Sequence, residues 1–405
     1  MGEKISKVYH TYKTLILLGI AGIPIGAVIG ALDALFGTVL LKITDIRNLH
    51  PVYFIPFLSL AGIVISYSYI KFGGKSSKGM NLIFEVGHGR DEVIPLRLIP
   101  FIISGTWLTH LFGGSAGREG VAVQIGATFS HWAGKKLPVK NASNIFLVTG
   151  MAAGFAGLFE TPIAAVVFAM EVLVAGALEY RALLPAITAS FTASTVSRLL
   201  GLEKFTFALN GKGDLSIDII WKLIVLGLIF GIVGGTFAWV LKWVKGFLAK
   251  KLENPIVRIA IAGVFLSILF LIFHKGRYSG LGTNLIAGSF QGGQIYSYDW
   301  ILKFILTILT LAAGFQGGEV TPLLSIGASL GVLLAGIFHL PIELVAALGY
   351  VSVFGSATNT FFAPVIIGGE VFGYEYLPYF FIVCAFAYIF NMNKSIYSLQ
   401  KMVNL

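Results

Sequence analysis

Charge and cysteine are both scarce in this chain. Only 12% of its 405 residues are Asp, Glu, Lys or Arg, about half of the roughly 25% carried by soluble domains. That shortage excludes a water-exposed surface over most of the chain. A single cysteine, Cys384, in the apolar run Phe380 to Phe390, excludes a disulfide framework and a thiolate metal cage and is expected to be a packed core thiol. No His-Glu-x-x-His or Gly-x-x-x-x-Gly-Lys-Ser/Thr sequence occurs. A zinc peptidase and a nucleotide-driven pump are therefore unsupported, and no metal or cofactor is expected. The N-terminus also lacks a small-residue cleavage site. Its first apolar run, from Leu15 past Ile29, reads as a retained membrane helix.

What is abundant is apolar. Hydrophobic residues make up 56% of the chain and the mean hydropathy is +0.86. Runs such as Pro51 to Ile70, Leu98 to Gly117, Leu223 to Leu241 and Leu344 to Gly369 approach or exceed the ~20 residues needed to cross hydrocarbon. The chain is expected to be an all-α, polytopic membrane protein embedded in the lipid bilayer. Lys4, Lys7 and Lys13 precede the first run, and Lys394 and Lys401 follow the last. The positive-inside bias then puts both ends in the cytoplasm after an even number of crossings. The net charge of +10 raises nucleic acid as a partner, but the lysines read as segment-end groups (Lys71, Lys75, Lys78; Lys135, Lys136; Lys250, Lys251), not as one binding stripe.

Glycine is the second excess, with 49 residues. In membranes small residues let helices approach closely, and glycine permits breaks where backbone lines a cavity. Gly113 to Gly120, Gly150 to Gly157 and Gly314 to Gly318 read as such breaks, meeting in the interior to build a midplane ion site. An internal repeat runs through them. Gly113 to Ala127 lies on Gly314 to Ala328, aligning Gly117 with Gly318, Glu119 with Val320 and Gly126 with Gly327; Glu160 to Val172 lies on Asn359 to Val371, pairing Glu171 with Glu370. The expected organisation is one transmembrane domain over 1–405: a first repeat at about 15–200, a hydrophilic linker at 201–218, a second repeat at about 219–392, and a C-terminal cytoplasmic segment at 393–405.

The densest chemical signal is Gly117-Arg118-Glu119-Gly120-Val121. A carboxylate at membrane depth is a functional candidate by default; the competing reading has Arg118 merely neutralise it. A glycine-rich turn opening a helix at Val121 would present free N–H groups and a positive dipole end to an anion. Glu119 would compete for that place when ionised, and when protonated would swing away carrying a proton. Gly113-Gly114-Ser115-Ala116-Gly117 also matches the Gly-x-Ser-x-Gly pattern of serine hydrolases, an alternative of another class. No preceding strand or partner motif around His110 or His131 supports it.

At Gly117 to Val121 the chain resembles the CLC family of chloride channels and anion/proton antiporters, whose Gly-Arg-Glu-Gly-Pro motif holds a gating glutamate; Val121 replaces the proline. Gly318-Glu319-Val320-Thr321-Pro322 stands where the family has Gly-Ile-Phe-Ala-Pro, and Tyr397 matches a late tyrosine that helps hold the central anion. Phe159-Glu160-Thr161-Pro162 followed by Met170-Glu171 resembles the mid-chain helix, with Thr161 placed to N-cap and Pro162 at the first helical position. The resemblance implies two inverted-topology repeats with broken helices and a homodimer with one pathway per subunit. Met80, in Lys78-Gly79-Met80-Asn81, replaces the filter serine of chloride-selective members, and Glu319-Val320-Thr321-Pro322 is a second departure. Both are similar to the fluoride-exporting bacterial branch, which works in the bacterial plasma membrane. The resemblance therefore implies a fluoride/proton antiporter, with a chloride/proton exchanger or passive anion channel as the alternative. Its implied anion site comprises Met80, Gly117, Arg118, Gly120, Val121, Val320, Thr321 and Tyr397, with Glu119 as gate and Glu319 as a proton-path or helix-capping carboxylate. Val172 follows Glu171 where many antiporters carry a second, proton-accepting carboxylate, so the proton is expected to enter otherwise, with Glu119 and Glu319 as candidates; Glu171 and Glu370, repeat-related and expected to be buried, read as structural.

Overall fold

Apolar sequence without alternation forms helices, because in lipid each backbone N–H and C=O must find its partner within the segment. The computed structural model describes residues 2–91, 93–209 and 215–403, without the side chains of residues 2–10. The first half of the chain forms α1 (Gly2–Leu49), α2 (Pro51–Phe54), α3 (Leu58–Ser68), α4 (Met80–Gly87), α5 (Leu98–Leu111), α6 (Glu119–Gly134), α7 (Ala142–Phe159), α8 (Pro162–Glu171) and α9 (Leu183–Leu199). The second forms α10 (Ile217–Lys251), α11 (Pro255–Ile272), α12 (Thr283–Phe290), α13 (Asp299–Ala313), α14 (Val320–Phe338), α15 (Ile342–Thr358), α16 (Phe362–Phe372) and α17 (Leu377–Ile389). Among the described residues six helical segments are long and apolar enough to cross a membrane, and several shorter apolar helices accompany them. One short parallel pair, β1 (Val174–Ala175) with β2 (Lys401–Met402), ties the C-terminal segment back to the end of α8.

Glycine has two separate uses here. Gly113 (φ +92) and Gly314 (φ +111) adopt left-handed backbone after α5 and α13, and non-helical chain then leads to Arg118 and Glu319. These are real breaks. Gly150 to Gly157 is not one: α7 runs through it unbroken. Its glycines instead admit α6, for a Cβ on Gly126 would fall on the Gly150 carbonyl and a Cβ on Gly154 on the Ala122 carbonyl. In the second half Gly327 of α14 meets Gly349 of α15 in the same way. We expect Gly126→Val to be more damaging than typical overpacking, which costs about 1–3 kcal/mol, because the obstacle is backbone with no rotamer to yield. A sharp fall in folded, monodisperse protein on size-exclusion chromatography is the check.

The helix pair α8 and α16 shows the same duplication. Glu160 and Asn359, equivalent in the repeat, precede them with φ of 54° and 55°. Glu171, at the end of α8, accepts from the N–H groups of Phe361 (2.5 Å), Phe362 and Ala363 (both 3.2 Å) at the start of α16. Glu370, on α16, accepts from Ile163 (3.2 Å) and Ala164 (2.8 Å) at the start of α8. Each helix supplies the anionic cap for the other. Thr161 occupies the N-cap position as expected but makes no capping bond, because the N–H groups it would serve are taken by Glu370.

The linker departs from the expected hydrophilic loop. Gly211, Lys212, Gly213 and Asp214 lie outside the described residues, but the preceding stretch packs on the second half. Leu202 and Leu209 are buried, and the N–H groups of Phe207 and Leu209 donate to the carbonyls of Val371 and Phe372 at the end of α16. Leu202, Phe205, Phe207 and Leu209 give this stretch an apolar side that its polar neighbours mask in composition.

Candidate functional site

The two glycine breaks meet. Gly117 N–H donates to the Gly318 carbonyl (2.5 Å) and Gly318 N–H to the Gly117 carbonyl (2.8 Å), an antiparallel bridge between the two positions that the repeat aligns. Beyond the bridge, α6 and α14 start at the equivalent residues Glu119 and Val320, with Arg118 and Glu319 at their N-caps. Helix α6 thus opens two residues earlier than expected, with Glu119 in its first turn instead of before it. Two free helix starts beside one bridge concentrate unpaired N–H groups and positive dipole ends at one point.

Glu119 is fully buried and reaches across to the other half. Its Oε2 accepts from Thr321 N–H (3.1 Å) and from Thr321 Oγ1–H (2.5 Å), with a longer bond from Arg118 N–H (3.3 Å). The carboxylate therefore lies at the start of α14, where a helix leaves its first N–H groups without intrahelical partners. Arg118 does not lock it. Nε stands 3.6 Å from Oε1, and Nε, Nη1 and Oε1 all lack a hydrogen-bond partner. A charge-assisted hydrogen bond is nearer 2.7–2.9 Å in general; the arginine biases the local field without immobilising its neighbour.

Below this point opens a vestibule of about 810 Å³. Met80, Gly120, Glu319 and Tyr397 line it, with Lys78, Lys242, Lys245 and Arg258 around them. The segment carrying Met80 enters through a π turn (Tyr69–Gly73), a 3-10 turn (Gly74–Lys78) and Gly79 at φ +53, which free α4 to start at Met80. A Cβ on Gly120 would lie 4.0 Å from Met80 Cε, 3.9 Å from Glu319 Oε2 and 3.4 Å from Gly318 Cα. The three loops thus converge on one bare patch of backbone. Tyr397 stacks on Phe84 of α4 with ring centroids 5.2 Å apart, and Ser398 Oγ bonds Asn81 Oδ1, so the C-terminal segment closes one wall. Glu319 makes no side-chain capping bond and faces the vestibule. Val121 and Val320 turn their side chains into the core, leaving only backbone to the site.

A family model described as voltage gated chloride channel matches residues 61–392. The chain belongs to this family, the CLC proteins. A "Chloride/fluoride channel protein" of Pseudomonas syringae pv. tomato is 32% identical over 98% of this chain and 88% of its own length. Among solved structures, a CLC-type fluoride/proton antiporter is 55% identical with a TM-score of 0.95, covering 97% of this chain and 99% of that one. A cyanobacterial Cl−/H+ antiporter (20% identical, TM-score 0.80, covering 92% of this chain and 94% of that one) shares the fold.

Two buried cations of this CLC chain lie outside its sequence motifs. Lys303 lies within α13, not at a segment end, and is fully buried. Its ammonium donates to Ser115 Oγ (2.9 Å), the Tyr278 carbonyl (3.1 Å) and the Gly280 carbonyl (2.7 Å), three acceptors for three protons. Ser115, the residue of the Gly-x-Ser-x-Gly pattern, is wholly buried on Lys303 and Thr307, so it pins the loop before Arg118. His110 bonds the Thr106 and Ala116 carbonyls, and His131 bonds the Ser143 carbonyl. The other group is Arg47 of α1, buried, which donates to the His110 carbonyl (2.7 Å). A lone cation inside an apolar run was the available signal for Lys303.

Proposed function

We propose that this chain is a fluoride/proton antiporter that exports fluoride across a bacterial plasma membrane. The observation that carries the reading is the Glu119 carboxylate seated on Thr321 N–H and Oγ1–H at the start of α14. An ionised Glu119 fills the place where those donors would hold fluoride. Protonation removes the charge that competes with the anion, and the neutral side chain moves away with its proton. Anion and proton therefore exchange through one residue. The likeness to a fluoride/proton antiporter over nearly the whole chain supports the same activity.

Direction follows from charge. Thr11–Leu49 and Pro51–Gly87 are each long and apolar enough to cross the membrane, and two successive crossings bring Lys71, Lys75 and Lys78 back to the side where α1 begins. The vestibule opens on that side among Lys78, Lys242, Lys245 and Arg258. The positive-inside rule makes it cytoplasmic, and its positive walls raise the local concentration of anions. Glu319, in that vestibule, is the candidate to pass protons on toward Glu119. Fluoride is tightly hydrated and must be offered donors as water is stripped; Thr321 and the N–H groups around Gly117 and Gly318 supply them. As in other CLC proteins, the working unit is a homodimer with one pathway in each subunit.

Purified protein in liposomes, followed with a fluoride electrode under an imposed proton gradient, tests the reading. Uphill fluoride movement driven by protons alone is expected. Fluoride that only runs down its own gradient would instead assign a passive channel, and equal movement of chloride a general anion exchanger. Met80→Ser, which returns a hydroxyl to the filter position, is expected to weaken discrimination against chloride in the same assay. Unchanged selectivity would remove Met80 from the filter.

A further inference from the structure

A second cavity, of about 350 Å³, opens on the opposite face from the vestibule. Helix α11 fixes the two faces, since Pro255 at its start lines the vestibule and His274, just past its end, lines the second cavity. The cavity lies between the end of α1, the loop after α11 and the start of α12, and has no part of Met80, Glu119, Thr321 or Tyr397 in its wall. Its wall includes Thr44, Arg47, Lys275, Arg277, Ser279 and Asn284.

The chemistry of this wall is that of an anion receptor. Arg47 is only 2% exposed, and its two hydrogen-bond acceptors, the His110 carbonyl and Asn48 Oδ1, are both neutral. Among the described residues no carboxylate is in ion-pair contact with this guanidinium, and Asp45, two residues earlier, acts on it only through space, which leaves a buried charge for a bound anion to offset. Thr44 and Ser279 are 7% and 3% exposed, and each hydroxyl lacks a hydrogen-bond partner. Buried hydroxyls are ordinarily paired, and both of these are in the cavity wall. Lys275 adds an exposed cation. Arg277 adds no net charge, because Asp299 pairs with it at 2.7 Å. Arg47 and Lys275 are thus cations outside any ion pair among the described residues, and the Thr44 and Ser279 hydroxyls are free to donate; Asn284, whose Nδ2 donates to the Arg277 carbonyl, offers an acceptor oxygen.

The cavity is also wired to the gating loop. Arg47 holds the His110 carbonyl, and the His110 ring holds the Ala116 carbonyl. Next to Ser279, Gly280 accepts from Ala116 N–H and donates to the Gly114 carbonyl, while Lys303 grips the Gly280 carbonyl from beneath. The loop so held, Gly113 to Gly117, ends two residues before Glu119.

We infer that this cavity is a second anion site, which binds a small inorganic anion through Arg47, Thr44 and Ser279 and tunes the Gly113–Gly117 loop from the face opposite the vestibule. The site does not depend on which anion the central pathway carries. Halide and tetrahedral oxyanion share the recognising chemistry, so the test uses both. Crystals soaked separately in bromide and in selenate are examined by anomalous diffraction, for the unaltered protein and for the Thr44→Val/Ser279→Ala double variant. An anomalous peak against Arg47 that the double variant loses is expected for at least one anion. Absence of a peak for both anions, or one that persists in the double variant, overturns the site. The anion that binds is then added to the proteoliposome flux assay. It should change the transport rate of the unaltered protein and leave the double variant unaffected. A crystallographic peak with no change of rate overturns the link to the loop.

Discussion

Glu119→Gln should abolish proton coupling while leaving anion movement. The amide matches the size of the carboxyl, and its oxygen still accepts from Thr321 N–H, so the fold around the bridge of Gly117 and Gly318 should survive. What the substitution removes is the ability to gain and lose a proton, and with it the charge that expels an anion from the start of α14. In liposomes, proton flux driven by a fluoride gradient is expected to fall to background, and fluoride should run only down its own gradient. Normal coupled proton flux in this variant would defeat the assignment of Glu119. Because Arg118 approaches only to 3.6 Å, the effect should not be reproduced by Arg118→Gln, which leaves a titrating carboxyl in place.

The second large effect separates two roles for a buried acid. Glu171 accepts three backbone N–H bonds at the start of α16, and hydrogen bonds to charged groups contribute about 1.5–3 kcal/mol each. Glu171→Ala leaves those donors without partners. It should lower stability by about 3 kcal/mol or more, read as a fall in melting temperature in detergent. Glu171→Gln keeps one acceptor oxygen and should lose less. Its decisive readout is coupling: a cap may be uncharged and still serve, so folded Glu171→Gln should retain proton-driven fluoride movement. Loss of coupling in a protein that melts normally would place Glu171 on the proton route and overturn its structural role.

Much of this site was legible because the chain carries it twice. Gly117 and Gly318, aligned by simple repeat spacing, are the two residues that bridge, and Glu171 and Glu370, paired the same way, cap one another's helices. A residue needed at one place in each half leaves a mark that survives divergence elsewhere. The errors have physical causes of their own. A glycine cluster such as Gly150 to Gly157 serves equally for broken backbone and for close helix contact; only the partner, Gly126, tells them apart. Thr161 has the type and position of a helix cap, yet a carboxylate 209 residues later in the chain, Glu370, competes for the same donors and wins. Lys303 was missed because its three acceptors, Ser115 and two carbonyls at Tyr278 and Gly280, come from distant sequence and leave no local pattern.

The proposed exchange requires Glu119 to give up its seat to the transported anion. The direct measurement is a pair of crystal structures, one at high pH without fluoride and one at low pH with saturating fluoride. In the first, the carboxylate should accept from Thr321 N–H and Oγ1–H; in the second, it should have left, with fluoride within hydrogen-bond reach of Thr321 N–H. A Glu119 side chain that stays on Thr321 under both conditions, with fluoride bound elsewhere, would contradict the exchange.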